Sequence, residues 1–429
     1  MSSTFHLFSK KNTIFSECCL LLVAIFVESA DVVVIGGGVI GCSTAYHLAK
    51  LEIGKVVLVE KEKIGSGTTG ITGGILQNLS NSYARTTMQV QTVDLLTNIL
   101  PSEGVESGFT ETGAIFVTRK SSELNALAKM SSIGTACGVT SHLVSVEEIS
   151  QLHPHLNTKG LVGGVYIPRD GSIDPGILCS SLKKAATKHG VEIYEQCLIK
   201  NIETSRSGQV ESVETDKGII KTNKVVNCSG IWASDIAEMV GLKLPHVTYK
   251  RCYAVTQEIP GIENTPHIFD LQCGRYYKNQ GSTLLFGGHE KNPIEIKKVP
   301  ENFAFSFTNS DWLQFEPHVK SAFELLPCIK KAGFESITCG PDSFTPDGYP
   351  LMGESTDVKG FFNGTSFNGG GMMMSGGAGR QLAHWVAYGR PEFDMSTCDI
   401  NRFPRNHDVE KVKRSCHKTF TTKHELKHF

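Results

Sequence analysis

An α/β fold, with one domain built on a parallel sheet and a second domain rich in β-strand, is predicted by three features of the sequence. First, the apolar strand Val32-Val33-Val34-Ile35 runs into Gly36-Gly37-Gly38-Val39-Ile40-Gly41, an amphipathic stretch follows through Ala45, Leu48 and Ala49, and a second strand, Val56-Val57-Leu58-Val59, ends on Glu60. That is strand, glycine turn, helix, strand. Second, Gly360 to Gly364 reads as another strand and leads through Asn368-Gly369-Gly370-Gly371 into a helix from Gly376 to Tyr388. Third, residues 245–330 hold strand candidates at Cys252 to Thr256, Gly274 to Lys278 and Ser282 to Gly287, with no further strand–helix–strand signal.

Each part of the first segment has a chemical use. Gly36 makes the tight turn, Gly38 lets a pyrophosphate approach the backbone, and Gly41 lets the helix pack on the strand. The free N–H groups and the dipole at the helix start favour an anion. Glu60, about twenty residues past the glycines, is placed to accept hydrogen bonds from an adenosine ribose and to repel a 2′-phosphate. A dinucleotide is therefore expected, and NAD and FAD share this fingerprint. Two further segments favour FAD. Ser66-Gly67-Thr68-Thr69 offers small and hydroxyl residues along a long cofactor, and the second glycine-rich helix start, Gly370-Gly371-Met372-Met373-Met374, suits the charge of a reduced flavin. The expected FAD contacts are Gly36, Gly38, Val39, Ile40, Gly41, Glu60, Lys61, Ser66, Thr68, Thr69, Ser229, Gly230, Trp232, Gly370, Gly371, Met372 and Met373.

Composition narrows the function. The 429 residues are 40% apolar, enough for a large core and two intimate domains. Lys plus Arg (42) against Asp plus Glu (43) leaves a formal charge of −1, so no nucleic-acid partner is expected. The 13 Cys are scattered, which argues against a zinc site or a compact disulfide framework and points to free thiols in a reducing compartment. His153-Pro-His155 lacks a third ligand at useful spacing, so no metal is expected. Residues 1–30, with Lys10 and Lys11 ahead of an apolar run from Cys18 to Val27, read as a targeting or signal-like segment too short to span a bilayer. No stable membrane span is expected elsewhere.

Between the two glycine-rich segments, Asp174-Pro175 caps and opens a helix through Leu178, Leu182, Ala185 and Ala186 that Gly190 closes. Strands follow at 191–194, 199–204 and 210–215, and Lys224 to Cys228 returns to the cofactor sheet, ending at Ser229-Gly230-Ile231-Trp232. The expected division is an FAD-binding Rossmann-like domain (31–90, 155–235 and 335–400), a β-sheet-rich substrate domain (91–154 and 236–334) and a poorly packed polar tail (404–429).

The glycine turn, Ser66-Gly67-Thr68-Thr69, the run Gly340-Pro341-Asp342-Ser343-Phe344-Thr345-Pro346-Asp347, Pro350-Leu351-Met352-Gly353-Glu354, and Ala383-His384-Trp385 with Gly389-Arg390-Pro391 together resemble one family. It is the sarcosine and dimethylglycine dehydrogenase family of D-amino-acid-oxidase/glycine-oxidase-type flavoproteins, and the likeness runs over roughly residues 30–420. The resemblance implies oxidation of an N-methyl group, most simply that of sarcosine. Hydride passes to flavin N5, the imine hydrolyses to glycine and formaldehyde, and electrons leave to electron-transfer flavoprotein in the mitochondrial matrix. It implies an active-site role for Tyr253, and for Lys250 and Arg251 where the family has histidines, with Arg275 and His289 as further candidates. Two departures stand out. The family follows the Ser-Gly-Thr-Thr run with Trp-His, the His binding the flavin covalently, whereas this chain has Gly70-Ile71, so a noncovalent flavin is expected. The family's C-terminal tetrahydrofolate-binding half is also missing from this sequence, so formaldehyde is expected to leave uncaptured. Two alternatives stay open: a flavin oxidase or dehydrogenase of another small amino or hydroxy acid, and a non-catalytic regulatory paralogue similar to the pyruvate dehydrogenase phosphatase regulatory subunit.

Overall fold

Val32, Val34 and their neighbours alternate between two apolar cores, and that alternation fixes the centre of the molecule. In the computed structural model, which describes residues 26–300, 303 and 312–422, the elements that build the site run in chain order. The first half holds β1 (Val32–Ile35), α1 (Val39–Lys50), β2 (Val56–Val59), α2 (Tyr83–Asp94), β3 (Ala114–Thr118), β4 (His142–Val144), β5 (Gly163–Ile167), α3 (Pro175–Lys188), β6 (Glu192–Tyr194) and β7 (Val225–Asn227). The second half holds β8 (Val247–Thr256), β9 (His267–Asp270), β10 (Arg275–Gln280), β11 (Thr283–Gly288), β12 (Phe334–Phe344), β13 (Leu351–Glu354), β14 (Phe361–Thr365), α4 (Gly371–Tyr388) and α5 (Val409–Thr422). Residues 1–25 of the targeting-like segment and 423–429 of the tail lie outside the described residues.

The first sheet has the order β13-β14-β7-β1-β2-β6, parallel except for the β13/β14 pair. Every residue of β1 and β2 is buried, as expected of parallel strands covered on both faces. Val32 and Val34 pack with α1, α3 and α4 through Leu48, Leu178 and Leu382. Val33 and Ile35 face the meander 199–221 through Ile202, Val213 and Ile220. Asp174 caps α3 by accepting from the Ile177 N–H at 2.9 Å. The second glycine-rich helix begins at Gly371, five positions ahead of the predicted start at Gly376, because Gly370 itself serves as its N-cap. Val27 and Ala30, read with the targeting segment, are buried against the meander side.

The second sheet has eight strands in the order β12-β8-β11-β10-β9-β3-β5-β4. Two of them, β5 and β12, lie in ranges that the sequence reading gave to the cofactor domain. They belong here because β5 pairs antiparallel with β3, and β12 pairs with β8 from Val247↔Phe344 to Thr256↔Phe334. In that pairing Cys252 stands directly opposite Cys339, and the two form a disulfide. The expectation of free thiols only is corrected at this pair, which no sequence-local spacing signals.

The polar-tail expectation is also corrected. Residues 409–422 form α5, whose Val412, Cys416 and Phe420 recur every fourth position and bury one stripe against Val247, Tyr249 and Phe344. Phe420 stacks edge-on with Phe344 and Tyr249 at ring separations of 4.7 and 5.0 Å. The helix is charged on its remaining faces, which masked the stripe. Phe420→Ala is expected to lower the unfolding free energy by about 3 kcal/mol, the usual cost of removing a buried phenyl ring. Denaturant titration of the full chain checks this, and a loss below about 0.5 kcal/mol, typical of an exposed site, would return α5 to the status of a loose tail.

Candidate active site

A cavity of about 860 Å³ lies at the carboxyl ends of β1, β2 and β7 and against the second sheet. The turn after β1 forms its base. Gly36 has φ +103°, and a Cβ there would lie 2.5 Å from the Cys228 carbonyl oxygen. A Cβ on Gly41 would lie 1.8 Å from the Gly36 carbonyl oxygen. α1 is therefore pressed against the strand end. Its N-cap, Gly38, has no side chain to cap the first turn, and Gly38, Val39 and Ile40 line the cavity. The Thr69 hydroxyl accepts from the Val39 N–H at 3.1 Å, which ties the Ser66–Thr69 loop to the helix start.

Glu60 closes the second strand as expected. Its Oε2 accepts from the Gly37 N–H at 2.6 Å and its Oε1 from the Glu62 N–H at 2.8 Å. Burial raises its pKa, and those two amides oppose the rise. Lys61 places its ammonium 3.4 Å from the centroid of the Trp232 ring. After β7, the Asn227 carbonyl oxygen Oδ1 accepts from the Ser229 hydroxyl at 2.6 Å and shapes the Ser229-Gly230 turn. On the far side, the loop from Ser366 (φ +57°) to Gly369 (φ +78°) delivers α4, whose Gly370 N-cap again lacks a capping side chain. Of all the residues expected to contact FAD, only Gly41 does not line this cavity; it sits behind the turn, in the packing role read for it. Met372 and Met373 do both jobs, lining the cavity and packing on the core.

The opposite wall belongs to β8. Strand alternation sends Arg251 and Tyr253 into the cavity, whereas Lys250 turns to the other face, where it is buried and outside the lining. The expected pairing of Lys250 with Arg251 at the site is thus corrected by the two-residue period. Arg251 Nη1 lies 3.3 Å from Asp342 Oδ2, and its Nη2 donates to the Gly288 carbonyl at 3.4 Å. Arg275, Tyr276 and His289 complete this wall. Arg275 is 6% exposed, donates to the His289 carbonyl at 3.1 Å, and leaves its Nε without a partner. Burial lowers its pKa. Burial also pushes the Tyr276 phenol up to about 12, so it stays protonated.

Two lining residues were given no site role by the sequence. Asp342, inside the Gly340–Asp347 run that carries the family resemblance, stands opposite Tyr249 in the β8/β12 pairing. Arg85, on α2, stacks over the Tyr349 ring at 4.8 Å, donates to Asn81 Oδ1, and keeps its Nε buried without a partner. Ile71 lines the cavity and fills the notch left by Gly340, whose Cβ would fall 1.9 Å from Ile71 Cδ1. Among the described residues, no group of three or more His, Cys, Asp and Glu gathers to hold a metal ion.

The site thus joins an anion-binding end, made of two glycine-led helix starts, to a guanidinium and phenol wall. Residues 31–385 match the FAD dependent oxidoreductase family, and the chain belongs to that family. Within it, the chain is 42% identical, over 88% of its length, to mitochondrial sarcosine dehydrogenase of Mus musculus, and it spans 42% of that protein. It is 33% identical, over 87% of its length, to the mitochondrial pyruvate dehydrogenase phosphatase regulatory subunit of Mus musculus, spanning 43% of it. The chain therefore covers well under half the length of these curated relatives. The crystal structure of L-proline dehydrogenase from P.horikoshii has the same fold, with a TM-score of 0.80 at 25% identity, covering 88% of this chain and 98% of that one.

Gly41→Ala places a methyl group against backbone that cannot rotate away, so the first turn must open. A loss of about 2 kcal/mol or more in stability is expected, in the range for overpacked cores. Thermal denaturation of the variant beside wild type checks it, and an unchanged Tm would show that α1 is not pressed on β1.

Proposed function

We propose that the cavity holds FAD and that the chain oxidises the N-methyl group of a small amino acid, with sarcosine the favoured substrate and glycine and formaldehyde the products. The observation that carries this reading is one cavity joining Glu60 and two helix starts with glycine N-caps to Arg251 and Tyr253 on β8. The residues present suit the cofactor. The first-turn amides of α1 would hold the pyrophosphate. Glu60, whose two oxygens accept from the Gly37 and Glu62 amides, retains lone pairs for ribose hydroxyls. The start of α4 offers a positive dipole end to the ring system. Bound there, FAD supplies the hydride acceptor that no side chain provides.

The chain's own part is to bind, orient and dry the substrate. Asp342 fixes the Arg251 guanidinium and balances its charge, while Arg275, which among the described residues has no carboxylate in hydrogen-bonded contact, suits a substrate carboxylate. Tyr253 and protonated Tyr276 present hydroxyl donors beside the two cations. Such a clamp holds the methyl-bearing nitrogen in one orientation and excludes water from the reacting end. Ile71 brings only carbon to the place where the resembled family has its attachment histidine, which supports a noncovalent flavin. The relatives' names support a mitochondrial location, with matrix residence and electron-transfer flavoprotein as acceptor read from the family resemblance. A second reading, a non-catalytic regulatory protein, is favoured by the likeness to the phosphatase regulatory subunit.

Mixing the FAD-loaded protein with sarcosine under anaerobic conditions separates the two. Loss of the flavin absorbance is expected, and an oxidised spectrum that persists at saturating sarcosine would favour the regulatory reading. Arg251→Met is expected to reduce the efficiency of flavin reduction by about 10- to 100-fold, as for loss of one charge-assisted hydrogen bond, with flavin content unchanged. Lys250→Met, on the other face of β8, should leave that efficiency within about three-fold of wild type by the same measure. Equal effects of the two substitutions would remove Arg251 from the substrate wall. On acid precipitation the flavin should stay in the supernatant; yellow colour that persists in the washed pellet would show a covalent bond through some other residue.

A further inference from the structure

One side chain outside the cavity ties its walls together. The loop between β14 and α4 contains three residues in the left-handed region, Ser366 (φ +57°), Asn368 (φ +55°) and Gly369 (φ +78°). Glycine adopts this region freely and asparagine tolerates it, but for serine it is unfavourable and persists only where neighbours enforce it. Asn368 is enforced from one side: its Oδ1 accepts from the Thr345 N–H at 2.9 Å and from the Thr345 hydroxyl at 3.2 Å, and its Nδ2 donates to the Ser366 carbonyl at 2.7 Å. Ser366 is enforced from the other side by His246. The hydroxyl of Ser366 shares a hydrogen with His246 Nδ1 at 2.5 Å, and His246 Nε2 shares one with the Ser234 hydroxyl at 2.8 Å.

Ser234 lies in the first turn of a different cofactor-side segment, the short helix Ala233–Glu238 that follows β7 and the Ser229-Gly230 turn. β7 and β14 are parallel neighbours, so the imidazole spans the loops that leave two adjacent strands at the cavity. A direct bond from the Thr365 hydroxyl to the Gly230 carbonyl, 3.1 Å, joins the same two loops closer in. Ser229, Gly230, Thr365, Ser366 and Gly369 all line the cavity. His246 also stands one residue ahead of β8, the strand that carries Arg251, and Arg251 Nη1 approaches the same loop at Gly369, 2.4 Å from where a Cβ would lie. Burial pushes the His246 pKa down to about 4, which keeps the ring neutral, with one nitrogen to donate and one to accept.

We propose that His246 is a positioning residue for the cofactor site: by bridging Ser234 and Ser366 it holds the Ser366–Gly369 loop in its left-handed form and sets the spacing between the two loops that wall the FAD cavity. The inference rests on the reading of that cavity as the FAD site, and it does not depend on which amine is oxidised. No motif marks it, because the three residues are separated by 12 and 120 positions in the chain.

The test uses the full-length holoprotein and three variants, His246→Leu, His246→Gln and Ser366→Ala, and reads the rate of FAD release on dilution by recovery of flavin fluorescence, the flavin midpoint potential, and Tm. His246→Leu and Ser366→Ala are each expected to speed FAD release by about ten-fold, as for loss of one buried hydrogen bond, and to shift the midpoint potential in the same direction as each other. His246→Gln, whose amide can donate to one serine and accept from the other, is expected to restore release to within about three-fold of wild type. A His246→Leu protein with lower Tm but wild-type release and potential would assign His246 a purely structural role and overturn the inference. If His246→Leu does not fold, Ser366→Ala decides in its place, and wild-type release from that variant overturns it equally. A wild-type protein that stays colourless with added FAD would instead defeat the reading of the cavity, and the inference with it.

Discussion

The close contact of α1 with the end of β1 is the constraint on which the site depends. A Cβ on Gly41 would meet the Gly36 carbonyl, and a Cβ on Gly36 would meet the Cys228 carbonyl, so glycine at both places lets three backbone segments converge on one point. That convergence brings the first turn of α1 and the ends of β2 and β7 to the same rim. Glu60 then reaches back to the Gly37 amide, and Thr69 to the Val39 amide, so the side chains that line the cavity also brace the turn that creates it. Binding geometry and local stability are therefore one property here.

The second wall has a different origin. β8 and β12 pair over ten positions of register, and this ladder places Gly340 opposite Arg251 and Asp342 opposite Tyr249. The Cys252–Cys339 disulfide crosses the same ladder one residue from Arg251, facing away from the cavity into the apolar core of the second sheet. Gly340 leaves room for Ile71, which comes from the loop of the first domain. The two sheets thus meet through side chains inserted from one into gaps of the other, and the wall holding Arg251 is set by long-range pairing rather than by local sequence.

That distinction separates what the sequence made legible from what it did not. The β1–α1–β2 unit was readable because each of its demands is local: two all-apolar strands, glycines where the backbone is crowded, and an acid at the second strand end fall within thirty residues. The return strand Val225–Asn227 and the glycine-rich approach to α4 were readable for the same reason, although the helix itself starts five residues earlier than expected. The role of Asp342 was not, since it comes from a contact with Arg251 about ninety residues away, which no local pattern shows. Lys250 was misassigned although the strand period alone puts it on the face opposite Arg251 and Tyr253. The stripe of Val412, Cys416 and Phe420 was hidden by the charge around it, and Arg85 and His246 carry no motif at all.

Charge balance at the substrate wall narrows what can bind there. Two guanidinium groups, half-buried Arg251 and buried Arg275, face the cavity, and Asp342 pairs with the first. Behind them Glu290 is 4% exposed; burial raises its pKa, and the charges of Arg251 and Arg275 oppose the rise. Its neighbour His318, 3.8 Å away, is held neutral by burial and by the same two arginines. Arg275 carries the remaining cation of this wall, and its pKa is lowered by burial although Glu290 and Asp270 act in the opposite direction. An anion entering there would offset a desolvation cost already incurred in folding, which is the physical basis for the carboxylate-bearing substrate proposed above. Asp342 acts from the opposite sign: its carboxylate beside Arg251 offsets part of the repulsion between two guanidinium groups that share one wall.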